Sequence, residues 1–145
     1  MTDSGDRRRL HADDMLYRKV NNGEYEGETI DPTAFIDKYP RQSFYLARRA
    51  SPAAALASFA RYPGVKRQCG TGDRAPTPDE MYAAGYRVAE VPYQAFMGLE
   101  CRVDPDADGN EFAPNGHVNI IDAKSHATPL SRIARLLSRE ETLGG

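Results

Sequence analysis

The sequence predicts a single compact α+β domain, with a mixed or antiparallel sheet of about five strands and about three helices. Three observations carry that expectation. "MLYRKV" (Met15 to Val20), "YRVAEV" (Tyr86 to Val91) and "HVNII" (His117 to Ile121) are short, rich in bulky apolar residues and close to the two-residue period of a strand. Three hydroxyl-proline pairs, Ser51-Pro52, Thr77-Pro78 and Thr128-Pro129, each offer an N-cap oxygen followed by a proline that loses no hydrogen bond at the first helical position. The resulting order is strand, strand, helix, helix, strand, strand, strand, helix. Helices grouped between and after runs of strands argue against regular βαβ alternation.

In chain order, "MLYRKV" is the first strand, and the polar, acidic, Gly-containing "NNGEYEGETIDPT" is a loop. "SFYLARR" (Ser43 to Arg49) is an aromatic second strand. "SPAAALASFARYPG" reads as one Ala-rich helix ended by Pro63-Gly64, with Ala55, Leu56, Phe59 and Ala60 on one face. "GVKRQCGTGDRAP" is a loop. Thr77 and Glu80 then form a capping box for "TPDEMYAAG", and Gly85 suits the position just past that helix. "YRVAEV" is stopped by Pro92, "PYQAFMG" is one helical turn, and "LECRV" (Leu99 to Val103) and "HVNII" are the last strands. "TPLSRIARLLSRE" closes the chain as a helix, with Leu130, Ile133, Ala134 and Leu137 as its apolar stripe. The expected boundaries are a disordered tail over residues 1–13, the domain over 14–140 and a second disordered tail over 141–145.

Composition narrows the function classes. Of the 145 residues, 40% are hydrophobic and 28% charged, ordinary usage for a soluble domain, and no segment approaches the roughly 20 apolar residues that span a bilayer. The opening "MTDSGDRRRLHADD" is charged throughout and lacks the apolar core of a secretory signal, so a cytoplasmic location and no membrane partner are expected. The net charge of −2 supplies no field to draw in nucleic acid. The run Arg7-Arg8-Arg9 is surrounded by Asp3, Asp6, Asp13 and Asp14, and aromatic residues are not interleaved with a basic stripe, so a nucleic-acid partner is not expected. Cys69 and Cys101 show no close-pair metal pattern and read as free thiols, Cys101 in a buried strand and Cys69 in a loop without a neighbouring His to act as base.

Three constellations are candidate sites. In "DPDADGN", Asp104, Asp106 and Asp108 occupy the first, third and fifth places of a calcium loop, with Gly109 at the sixth. Asn115 stands where the bidentate Glu belongs, and the flanks read as strands rather than helices. Two readings stand: a hairpin turn on Asp108-Gly109, and a weak Ca2+ or Mg2+ site on the three aspartates. His117, Asp122 and His126 bracket the last strand and are either structural or an acid–base or ligand set, to which His11 is a further potential ligand. Arg18 sits inside the first strand, where an inward guanidinium needs a partner. With Tyr45, Arg48 and Ser51 at the next strand-to-helix junction, it frames a candidate pocket for a phosphate-like group.

Two resemblances attach to these residues. "LYR" in the first strand, followed by "FYLARRASPAAALA", resembles the opening of RES-type ADP-ribosyltransferase-like domains over residues 15–60. That likeness implies a small α+β fold acting on NAD, with the family's Arg on Arg18 and its Tyr on Tyr45. The acidic residue of the following helix has no counterpart in "SPAAALASF". The stretch from "GLECRVDPDADG" through "GHVNIIDAKSHATPLSRIARLL" is similar to the C-terminal part of small uncharacterised bacterial proteins that also begin with "LYR". That likeness implies a prokaryotic setting and no particular chemistry. The combined expectation is a small cytoplasmic, non-catalytic binding or accessory module of unknown partner, either a protein or a small nucleotide-like ligand. The alternative is an NAD- or nucleotide-binding domain on Arg18, Tyr45, Arg48, Ser51 and His117.

Overall fold

Met15–Val20 forms β1, and its alternation is strict: Leu16, Arg18 and Val20 are buried while Met15, Tyr17 and Lys19 are half-buried on the opposite side. A computed structural model describes residues 10–36, 41–99, 102–103, 116–121 and 123–144. Chain order runs β1, β2 (Tyr25–Glu26), β3 (Thr29–Ile30), a 3-10 turn (Pro32–Phe35), β4 (Arg41–Leu46), α1 (Pro52–Ala57), α2 (Pro63–Cys69) and α3 (Pro78–Ala83). It continues with β5 (Arg87–Pro92), α4 (Tyr93–Gly98), β6 (Arg102–Val103), β7 (His117–Ile121), a second 3-10 turn (Ala123–His126), α5 (Ala127–Ile133), β8 (Arg135–Leu136) and α6 (Arg139–Leu143).

Six strands make one sheet in the order β6-β7-β4-β1-β5-β8, and every described pairing is antiparallel. A two-stranded ribbon, β2-β3, stands apart. The fold is therefore α+β. The register Leu16↔Leu46, Leu16↔Val91 and Phe44↔Val118 gathers one set of side chains on one face. There Leu16, Phe44, Leu46, Val91 and Val118 bury against Phe35, Phe96 of α4 and Leu130 of α5. The opposite face carries Tyr17, Lys19, Tyr45 and Val88. Over part of it a second core of Leu56, Val65, Met81, Val88 and Leu137 is closed by α1, α2, α3 and α6.

The helices depart from the sequence expectation in three places. The single helix expected over "SPAAALASFARYPG" is two. α1 stops at Ala57, where the Ser58 hydroxyl donates to the Ala55 carbonyl at 2.6 Å, and Tyr62 is extended at φ −71°, ψ 137°. Proline disfavours α geometry in the residue before it, yet fits the first helical position, so Pro63 opens α2 where it was expected to end a helix. Val65 to Cys69, expected as loop, belong to this helix.

The third cap is also corrected. α5 begins at Ala127, so Thr128-Pro129 lies within its first turn, where a missing N–H costs nothing. The helix expected to continue to Glu140 ends at Ile133, which is 47% exposed. The chain then pairs with β5 (Ala89↔Leu136, Glu90↔Arg135), and the Leu137 amide donates to the Val88 carbonyl at 2.9 Å. Ser138 and Glu141 form a new capping box, so the boundary expected at residue 140 falls inside α6, where Thr142 is buried.

Candidate functional site

Arg18 is 8% exposed and turned into the first core. Its Nε donates to the Ala34 carbonyl at 2.7 Å, Nη1 to the Ser43 carbonyl at 3.3 Å, and its guanidinium lies 5.4 Å from the Phe44 ring centre. These contacts join β1 to the first 3-10 turn and to β4. Arg48 Nε pairs with Asp14 Oδ1 at 2.8 Å, and the same buried carboxylate accepts the His11 amide at 2.7 Å. Ser51 Oγ accepts the Ala54 amide at 3.1 Å and caps its own helix.

Tyr45 faces the other way. The register Tyr17↔Tyr45 puts it on the face opposite Arg18, so the shared cleft expected for Arg18, Tyr45, Arg48 and Ser51 is not formed. The reason is the two-residue period: even positions of β1 share a face with even positions of β4. Tyr45 and His117 are brought together, cross-strand neighbours with ring centres 5.3 Å apart. His117 Nε2 lies 3.1 Å from Ser43 Oγ. His126 is half-buried at the N-cap of α5 and makes no side-chain cap bond there. Asp104, Asp106, Asp108, Asp122 and Cys101 lie outside the described residues. Among the described residues no three His, Cys, Asp or Glu side chains gather as a metal site.

On this second face an aromatic path leads away from the sheet. Phe59 meets Tyr45 edge-on at 6.0 Å and Tyr62 at 6.0 Å. Lys19 Nζ sits 5.0 Å from the Phe59 ring centre and 5.4 Å from that of Tyr86, and donates to Asn21 Oδ1 at 2.8 Å. Together these residues line an open groove of about 600 Å³, with Phe59, Tyr62 and Tyr86 as rings, Asn21, Asn22 and Gln68 as carboxamides, and Gly64 and Val65 between. Lys19 is the one charged side chain among those lining it. A smaller recess of about 120 Å³ adjoins it through Lys19, Asn21 and Phe59, and reaches Arg18, Glu24 and Ser43.

Titration near the groove is set by burial. Tyr86 is raised by burial and secondarily by the Cys69 charge. Cys69, a free half-buried thiol at the end of α2, is raised by burial and then by Glu80. A raised thiol is protonated at neutral pH and is a poor nucleophile. Sequence reasoning missed Lys19, Phe59, Tyr62 and Tyr86. The available signals were Lys19 on the outward phase of β1 and the three-residue spacing of Phe59 and Tyr62. Among the described residues no helix is long and apolar enough to cross a membrane. In comparisons with known proteins no family model matches the chain, and neither a curated protein nor a solved structure does.

Proposed function

We propose that this chain is a non-catalytic binding module that holds a protein partner in the groove of Phe59, Tyr62 and Tyr86. One observation carries the reading: three aromatic rings form the groove, carboxamides and a lysine border it, and Tyr62 keeps 46% of its surface exposed. Aromatic anchors within a polar rim are the composition that protein interfaces favour, because rings bury much area at low entropic cost. Lys19, held over two rings, suits an acidic or carbonyl-bearing group beside such an anchor. Arg18, Arg48 and Ser51 serve the fold instead. A prokaryotic cytoplasm is part of the same reading, supported by the likeness to small bacterial proteins and by a composition of 40% hydrophobic and 28% charged residues.

A photo-crosslinking residue at Gln68, at the groove, is expected to trap a discrete protein in the native cell. The adduct is expected to vanish when Tyr62→Ala is added. Equal labelling from an exposed position elsewhere, such as Thr33, sinks the reading.

A nucleotide in the same groove is the second reading, favoured by the juxtaposition of the Lys19 charge with two ring faces. A base could stack there and a phosphate meet the ammonium. A saturable rise in melting temperature with NAD or ATP, lost in Lys19→Gln, selects this reading over a protein partner. No rise with either removes it.

A further inference from the structure

A second cavity, of about 640 Å³, lies at the β8 edge of the sheet and shares no lining residue with the groove. Its volume is in the range of small-molecule sites. Arg87, the first residue of β5, is half-buried in its wall. The guanidinium lies 3.6 Å from the Tyr82 ring centre and 5.3 Å from that of Tyr25. Its Nη1 donates to the Tyr82 and Tyr86 carbonyls, both at 2.8 Å. Two ring faces and one corner of the fork are therefore fixed by the protein.

The other edge is not used. Among the described residues nothing accepts from Arg87 Nε or Nη2, and no carboxylate pairs with it. The second cation of the cavity is in a different state. Arg135 is paired with Glu90 at 3.2 Å and Glu141 at 2.8 Å. Glu141 also accepts the Ser138 amide. One carboxylate of the lining, Glu28 in the turn between β2 and β3, has no basic partner among the described residues. Once the pairs are set aside, the cavity presents one preoriented cation and one anion.

We propose that this cavity binds a small zwitterionic carboxylate, of amino-acid or dipeptide size. The carboxylate takes the Nε and Nη2 edge of Arg87 as two parallel hydrogen bonds, and the ammonium faces Glu28. Holding the guanidinium on two rings means that little side-chain freedom is lost when the ligand arrives. Glu28 also disfavours a doubly charged phosphate. This site stands independently of the groove and of its partner.

The test is an NMR titration of the full chain that follows the Arg87 Nε–Hε cross-peak, assigned through its bonded side-chain carbons in isotope-labelled wild-type protein and checked by its absence from Arg87→Gln. Glycylglycine, sodium acetate and inorganic phosphate are the three probes. Glycylglycine is expected to shift the peak saturably. Acetate is expected to bind about threefold more weakly, since it lacks the partner for Glu28. Glu28→Gln is expected to bring glycylglycine down to the level of acetate. This turn variant is exposed, so it reports even where Arg87→Gln fails to fold. The proposal is overturned if none of the probes gives a saturable shift. It is equally overturned if acetate matches glycylglycine in the wild type, or if phosphate binds tightest.

Discussion

Arg18 shows how far a single residue can be read. Its place inside an alternating strand announced a buried cation that needed acceptors, and the structure supplies carbonyls of Ala34 and Ser43. What the sequence did not give was their identity, because both lie beyond the strand in which Arg18 is found. Removing the guanidinium leaves those two oxygens without these donors. Arg18→Ala is therefore expected to lower stability by about 2–4 kcal/mol. The measurement is urea unfolding, and a loss under about 1 kcal/mol would detach Arg18 from the framework role. Of the candidate site residues, His117 and Tyr45 were the pair that the register brought together. The Arg48–Asp14 bridge was hidden from the sequence, since Asp14 precedes β1 and Arg48 follows β4, and only the antiparallel pairing of those strands sets the two side by side.

The element most fully written in the sequence is α3. Thr77 and Glu80 form the reciprocal capping box, and Arg74 adds bonds of 2.9 and 2.6 Å to the same carboxylate. Arg74 chiefly, then the Thr77 amide, hold the Glu80 carboxyl at about 2, down from 4.5. A depressed carboxyl stabilises the fold above its unfolded value and loses that contribution as pH falls from about 4.5 toward about 2. The urea midpoint should therefore fall between about pH 6 and about pH 3 more in the wild type than in Glu80→Gln. Parallel declines would exclude the carboxylate as the cause. At the other end, Gly85 adopts φ +105°, and the Gly85 and Tyr86 amides close onto the Tyr82 and Met81 carbonyls. A Cβ there would sit 2.6 Å from Asn22 Cγ, at the rim of the groove. Gly85→Ala is expected to cost about 1–3 kcal/mol in thermal unfolding. An unchanged melting temperature would show that the turn relaxes without strain. The elements that misled are those where a local signal has two outcomes: proline both ends and begins helices, and "RIARLL" carries a helical stripe but also two residues that fit a sheet edge.

At the scale of the molecule, the sheet order β6-β7-β4-β1-β5-β8 is where the sequence stopped being informative. Alternation establishes that each strand has two faces. It does not say which neighbour a strand takes, and β1 lies between β4 and β5, the latter some way along the chain. That choice puts Arg18 among the phenylalanines of one core and Tyr45 on the other face, separating residues that adjacent motifs suggested were partners. It also gives Arg135 and Leu136 an open strand to pair with, and so turns the expected end of a helix into β8. The groove and the Arg87 cavity both arise between elements distant in sequence, the first from β1, α2 and the approach to β5, the second from the β2-β3 ribbon, α3 and the C-terminal segment. The sequence alone determined the α+β class, the phase of the strands and the capped helix starts at Ser51 and Thr77, because propensity, period and capping act within a few residues. Which faces were covered and which side chains met followed from the packed fold, because strand pairing and helix packing are settled by the burial of apolar surface across the whole chain.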